Sequence, residues 1–386
     1  MASLAARPDP PSATPGQRAL VERIAQAAAP EPMLARIDAA VYLDPERFAA
    51  ERASVFGRVA LPLIPSAALP DAGTALTHDS YGMPILLTRD RAGVVRAHLN
   101  VCSHRGARLV DADTPQPLAR ITCPYHAWTY GLDGALAAVP RAEAFAGLCR
   151  ADHGLTALSV REAGGIVWIG LDPANPPDFA SVTGELADEF AAFGLADHLL
   201  YAERTHRVAA NWKLVVDAFL EPYHVPRLHA ASVGPFFADS VSVSDRIGPH
   251  FRSAVGRSDY AVARANAPLD ALRRAITFSY SVFPNAVVVA SPDYLNVMTF
   301  HPVKRAETLV RDWMLIPHAP RDADEAAHWQ KSWALLDGQV FGAEDFVAAE
   351  RSQLGLQSGA VKHLKIGGLE RGLTEFHAEL DRAIGA

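Results

Sequence analysis

Hydrophobic and polar positions along the chain change rhythm in three places. In "DPERFAAERASVFG", Phe48, Val55 and Phe56 recur at helical spacing behind Asp44 and Pro45, which predicts a helix with an Asp cap and Pro in its first turn. From about residue 58 to 170 the pattern becomes short alternating runs such as "PILLTRD", "GVVRAHLNV" and "GIVWIGL", each bounded by Gly, Asp or Pro. Such runs predict a small all-β domain, and "GLDG" between Tyr130 and Ala135 predicts a tight hairpin within it. A Pro-rich polar joint, "DPANPPDF" at 172–179, follows. Beyond it, "ANWKLVVDAFL" reads as a helix capped by Asn211. "FSYSVFPNAVVVAS", "LNVMTFHPV" and "ETLVRDWMLIP" read as sheet strands, and helices are expected over 322–352 and 369–384. The expected architecture is α+β, divided into an arm (1–40), an all-β domain with its preceding helix (41–172) and an antiparallel sheet with covering helices (173–386). Residues 1–32 hold six Pro and no continuous apolar stretch, so they read as a loose arm rather than a secretory signal.

Composition narrows the function. The 386 residues are 49% hydrophobic and 20% charged, the balance of a globular protein. A net charge of −7 argues against binding nucleic acid or anionic lipid, and no apolar run is long enough to span a bilayer. Three cysteines, Cys102, Cys123 and Cys149, are too few for a disulfide framework and point to a reducing compartment, with the cytoplasm as the default. Cys149, without a partner at ligand spacing, reads as a buried small apolar residue.

Cys102 and His104 form a CxH pair in "CSHRGARLV", and Cys123 and His126 a CxxH pair in "CPYHAWTYGLDG", 18 residues further on. Both pairs lie at strand ends, where a β domain can bring two loops together. Zinc fingers pair Cys with Cys and His with His, whereas here each loop supplies one of each. That interleaving favours two bridged irons, two Cys holding one and two His the other, as in a Rieske [2Fe-2S] centre. A structural zinc, or four separately buried side chains without metal, are the alternatives.

"NWKLVVDAFLEPYHVPRLH" carries Asp217, Glu221, His224 and His229. On one helix the first three share a face; His229 does not, so Pro226 is expected to break the helix and swing His229 back. Two imidazoles and a carboxylate on one side of an iron leave the other side open to O2 and substrate, so a third ligand from elsewhere is required.

"CSHRGARL", "CPYHAWTY" and the "NWK"/His224/His229 segment together resemble the Rieske non-haem iron oxygenases, in their catalytic (alpha) subunit, over about residues 40–386. The resemblance implies a Rieske [2Fe-2S] domain, a helix-grip catalytic domain holding Fe(II) through His224, His229 and Asp345 of "GAEDFVAAE", with Glu344 as fallback, and Glu221 as the acid joining His224 to His126 of a neighbouring subunit. It further implies O2 as co-substrate and a separate NAD(P)H-dependent reductase as electron source, since no dinucleotide motif follows a strand here. A homotrimer is implied, with a ferredoxin and a β subunit as further partners that the family admits. The reaction would be hydroxylation, dihydroxylation or demethylation of a small organic molecule: an aromatic compound, as in aromatic hydrocarbon catabolism, or a quaternary or methylated amine. An aromatic acid would call for an Arg, Arg252 or Arg257; a quaternary ammonium for an aromatic cage. The competing reading is a Rieske electron carrier with a ligand-binding domain; a colourless zinc-stabilised binding module is the third.

Overall fold

The computed structural model describes residues 12–26 and 31–385. After residue 58 the alternating runs fold into three small antiparallel sheets. One has five strands in the order Ala157–Leu158, Val95–Leu99, Ile85–Arg89, Thr74–His78, Gln116–Pro117. A second sets Leu61–Pro65 against the Val160–Ala163 and Ile166–Ile169 hairpin. In the third, Thr129–Tyr130 pairs with both Ile121–Thr122 and Leu136–Ala138, and Gly134 (φ 84°) supplies the left-handed turn that "GLDG" predicts.

The later half builds one seven-stranded antiparallel sheet, ordered Leu199–Val208, Glu307–Ile316, Leu295–Lys304, Ala286–Ala290, Ile276–Val282, His250–Arg257, Phe237–Ile247. Four of its five inner strands are the ones the hydrophobic pattern predicts; His250–Arg257 is not among them. Leu199–Val208 and Phe237–Ile247 escape that pattern because, at the sheet edges, they are largely exposed or half-buried. The helix expected over 322–352 runs as Ala323–Trp333, a twelve-residue π-helix Ala334–Asp345, and Phe346–Gln357. Arg371–Ile384 is the last helix. Among the described residues no helix is long and apolar enough to cross a membrane.

Within the supposed loose arm, Pro15–Ala25 is a helix with Thr14 as N-cap and Gln17 closing a capping box. It buries Leu20, Val21 and Ile24 against the Phe237–Ile247 and His250–Arg257 strands. Leu34–Asp38 then pairs with His363–Gly367. Proline marks the first turn here, not disorder, and the buried apolar stripe offsets the ordering entropy. The rest of the arm's first thirty residues, 1–11 and 27–30, lies outside the described residues.

Asp44 caps the expected helix by accepting from Glu46 N, with Pro45 in the first turn; Pro45–Ala50 continues as a π-helix, Glu51–Phe56. That helix packs on the last helix of the chain and inserts the fully buried Glu51, whose Oε2 accepts from Lys213 Nζ at 2.7 Å and Trp212 Nε1 at 3.0 Å. A main apolar core runs through both halves, and a small separate one, containing Cys102, Cys123, Trp128 and Tyr130, lies at the tip of the β domain.

Candidate metal centres

At the β-domain tip the two Cys/His loops have the same backbone plan. Gly106 N bonds to Cys102 O at 2.9 Å and Cys102 N to Ala107 O at 2.8 Å; Ala127 N bonds to Cys123 O at 3.0 Å and Cys123 N to Trp128 O at 2.8 Å. Each loop turns through a left-handed residue, Gly106 (φ 76°) in one and Ala127 (φ 57°) in the other. Cys102 and Cys123 are buried and unbridged, and the His104 and His126 rings meet at 4.7 Å between centroids. Trp128 stacks on His104 at 4.7 Å and 6°. Desolvation, then the charges of His126 and Arg105, hold His104 below the usual imidazole range. Tyr130, which sequence reasoning passed over, places its hydroxyl 3.1 Å from Cys102 Sγ and from Ser103 N. Tyr125, on the second loop, is 57% exposed. Cys149 is exposed, against the expectation of a buried residue; it precedes a one-turn helix on the surface.

In the later half, the helix behind the Asn211 cap covers Trp212–Asp217, tightens over Ala218–Leu220, and ends at an extended Glu221 (φ −150°, ψ 148°). Asp217, Glu221 and His224 therefore share no helical face. Asp217 turns away, accepting from Tyr42 Oη at 2.7 Å and lying 3.2 Å from His377 Nε2. Nor does Pro226 break a helix: it sits in the first turn of a new one, Val225–Leu228, which His229 terminates, as suits a residue with fixed φ and no N–H.

The result brings both imidazoles to one point. His224 Nδ1 lies 2.6 Å from Glu221 Oε1, and His229 Nδ1 2.6 Å from Glu344 Oε2, which also accepts from Ser232 Oγ at 2.6 Å. The Nε2 atoms face Asp345 Oδ1, at 3.6 Å from His224 and 3.1 Å from His229. Among the described residues His224, His229 and Asp345 form the one group of three such side chains with donor atoms all within 4.8 Å. Glu344, the fallback ligand, instead orients His229. Burial lowers His229, but the closeness and charge of Asp345, then the hydrogen bond and charge of Glu344, outweigh it and raise its pKa. Burial raises Glu344, but hydrogen bonds from Ser232 and His229 bring it below its ordinary range.

Both sites fit metals. Asp345 Oδ1 and His126 Nδ1 are buried without a hydrogen-bond partner, a costly state for polar atoms unless something coordinates them. With Nδ1–H donating to a carboxylate, each catalytic imidazole keeps its Nε2 lone pair for an ion. The Cys/His quartet contains no such tight trio, which suits two bridged irons better than one tetrahedral zinc.

A model of the Rieske [2Fe-2S] domain matches residues 60–155, and one of the ring hydroxylating alpha subunit (catalytic domain) matches 195–386. The chain belongs to the Rieske oxygenases. It is similar to the carnitine monooxygenase oxygenase subunit of Escherichia coli (strain K12), 36% identical over 208 residues, 54% of this chain and 54% of that protein; in that match the chain spans about half the relative's length. In fold, this Rieske oxygenase superposes on a quaternary ammonium Rieske monooxygenase with TM-score 0.78 at 21% identity, covering 92% of this chain and 100% of the other. Against naphthalene 1,2-dioxygenase from Rhodococcus sp. the TM-score is 0.75 at 18% identity, with 96% and 98% covered. The Rieske oxygenase cofactors are accordingly a [2Fe-2S] cluster and a non-haem iron.

A cavity of about 1070 Å³ opens onto His224, His229 and Asp345 and is walled by Phe219, Phe341 and one face of the seven-stranded sheet. Of the two arginines considered for substrate, Arg257 lines this cavity. Arg252 does not. Side chains alternate along a strand, so Arg252 points to the other face, where it is buried on Asp245 at 2.9 Å and Glu189 at 2.6 Å beneath the N-terminal helix.

Proposed function

We propose that this chain is the terminal oxygenase component of a Rieske system, taking electrons from a separate NAD(P)H-dependent reductase and using O2 to hydroxylate, dihydroxylate or demethylate a small organic substrate. The observation that carries this reading is the His224/His229/Asp345 trio at the wall of a large cavity, because an electron carrier has no use for an iron facing a substrate-sized space. Cys102, His104, Cys123 and His126 would hold the cluster, and His224, His229 and Asp345 the iron. When bound, the cluster supplies electrons singly and the iron supplies a centre for O2 reduction beside the substrate.

The protein's own contribution is orientation. Glu221 and Glu344 each hold an Nδ1–H, which fixes the tautomer and aim of the two imidazoles. Phe219 and Phe341 pack at 5.8 Å between centroids and make that part of the cavity wall apolar. Of the substrate classes, we favour a quaternary or methylated amine over an aromatic hydrocarbon. The E. coli relative is named for carnitine, and Ser242, Ser253, Thr277, Ser279 and Ser291 give this cavity a hydroxyl-rich floor that a hydrocarbon would leave unpaired.

We also place the enzyme in the cytoplasm, as a head-to-tail ring of three in which Glu221 joins His224 to His126 of the next subunit. The outward position of Tyr125 beside His126 (3.8 Å between centroids) supports an interface there. Protein loaded with both metals, given a reductase and a panel of methylated amines and aromatic compounds, should consume O2 with a member of the panel. Full cluster reduction with no substrate-dependent O2 uptake would leave the electron carrier instead.

A further inference from the structure

Charged side chains on the cavity wall are mostly neutralised in place. Arg23 pairs with Asp245 at 3.7 Å, Arg371 with Glu31 at 3.2 Å, and His328 with Asp293 at 2.7 Å; Arg246 pairs with Glu379. Arg257 differs. Among the described residues no carboxylate lies within 4.0 Å of its guanidinium, which is half-buried and donates a hydrogen bond only to Thr277 Oγ1, at 3.4 Å. The Phe236 and Phe237 rings flank it at 5.8 and 5.4 Å, which fixes the plane of the group while leaving its donor edge unspent. Strand alternation puts it on the same face as Ser253 and Val255, both facing the cavity. Lys331 is the other cavity cation without an ion pair, but it is exposed.

An unpaired guanidinium has five donors in a planar fork, no acceptor, and a charge it cannot shed. Half-removed from water with no carboxylate of its own, it is underused unless a ligand supplies one. We propose that Arg257 is the specificity-determining residue of this cavity, receiving the carboxylate of the substrate while the carbon to be oxidised faces His224, His229 and Asp345. This rests on the oxygenase reading and sharpens it: the substrate is an organic acid, so a methylated amine acid is taken in preference to the corresponding amino alcohol.

The test is equilibrium binding to the holoenzyme by calorimetry, with two matched pairs, glycine betaine against choline and benzoate against benzamide, alongside O2 uptake. The wild type should bind a carboxylate member about ten- to a hundredfold tighter than its uncharged-end counterpart, the value of charge-assisted hydrogen bonds. Arg257→Gln should abolish that preference while iron content and cluster absorption stay unchanged, Arg257→Lys should restore part of it, and Lys331→Gln should keep it. Equal affinity within both pairs in the wild type, or no measurable binding of either acid, overturns the proposal without need of a variant. So does a preference that survives Arg257→Gln or disappears in Lys331→Gln. Carboxylate preference without any O2 uptake would remove the oxygenase reading and leave Arg257 standing; O2 uptake with choline and glycine betaine used equally would do the reverse.

Discussion

In the Rieske domain every donor sits on a short turn whose backbone closes on itself, the same pair of hydrogen bonds serving the Cys102 and Cys123 loops, and aromatic rings pack around the imidazoles. The proposed iron site is assembled from distant segments instead. His224 and His229 flank the one-turn helix Val225–Leu228, Asp345 comes from the end of a π-helix more than a hundred residues later, and two carboxylates aim the rings. Local closure makes the first site part of a small core; the second depends on side-chain partners that can each be removed singly.

The sharpest way to break this contrast is to remove one donor from each. Cys102→Ala should eliminate the visible absorption and acid-labile sulfide entirely. Asp345→Ala should abolish turnover while keeping the colour, iron falling from about three to about two per chain. Loss of colour in Asp345→Ala would show the two sites to be coupled in assembly. A smaller effect is expected from Glu344→Gln, which leaves the ligands in place and weakens the hold on His229 Nδ1. Iron affinity should drop by roughly ten- to a hundredfold, measured by competition with a chelator, with the cluster spectrum untouched.

The catalytic half should also carry a pH dependence of its own. Asp312 is fully buried beside Asn296 (3.1 Å), and desolvation, with a contribution from Asp337, pushes its carboxyl up to about 8. Between its unfolded value near 4 and about 8 the folded chain holds a proton that the unfolded chain has released. Stability contributed by this group therefore falls as pH rises through that window, and is level above it. Asp312→Asn, which keeps an acceptor for Asn296, should raise the melting temperature at pH 8 and flatten the slope between pH 5 and 8; an unchanged slope would place the proton elsewhere. The smallest effect belongs to the loops. A methyl on Gly106 would meet no atom within 4 Å, so Gly106→Ala should cost only the left-handed backbone penalty, about 1 kcal/mol, read by chemical denaturation with the cluster absorption retained.

What could be read from the sequence follows the same contrast. Cys102, His104, Cys123 and His126 announce themselves because their geometry is set within a few residues. Glu344 and Asp345 are adjacent acids, and which one faces the imidazoles depends on helical phase across a π-segment that no period of 3.6 anticipates. Arg252 and Arg257 were equivalent candidates until strand alternation separated them, and the strand that does so was not recognised. Pro15 in a Pro-rich arm disguised a capped helix, because the apolar stripe of Leu20, Val21 and Ile24 gains meaning only from the sheet beneath it.

The Ala334–Asp345 coil packs more residues into each turn than an ordinary helix, and its final residue is the one presented to the imidazoles. Deleting a single position inside it, Gly338 for instance, would rotate everything downstream by about a quarter-turn or more and carry the aspartate away from the imidazoles. The identity of the proposed third donor is thus recorded in how many residues precede it, so insertions and deletions in this coil are a more severe class of lesion than most substitutions there.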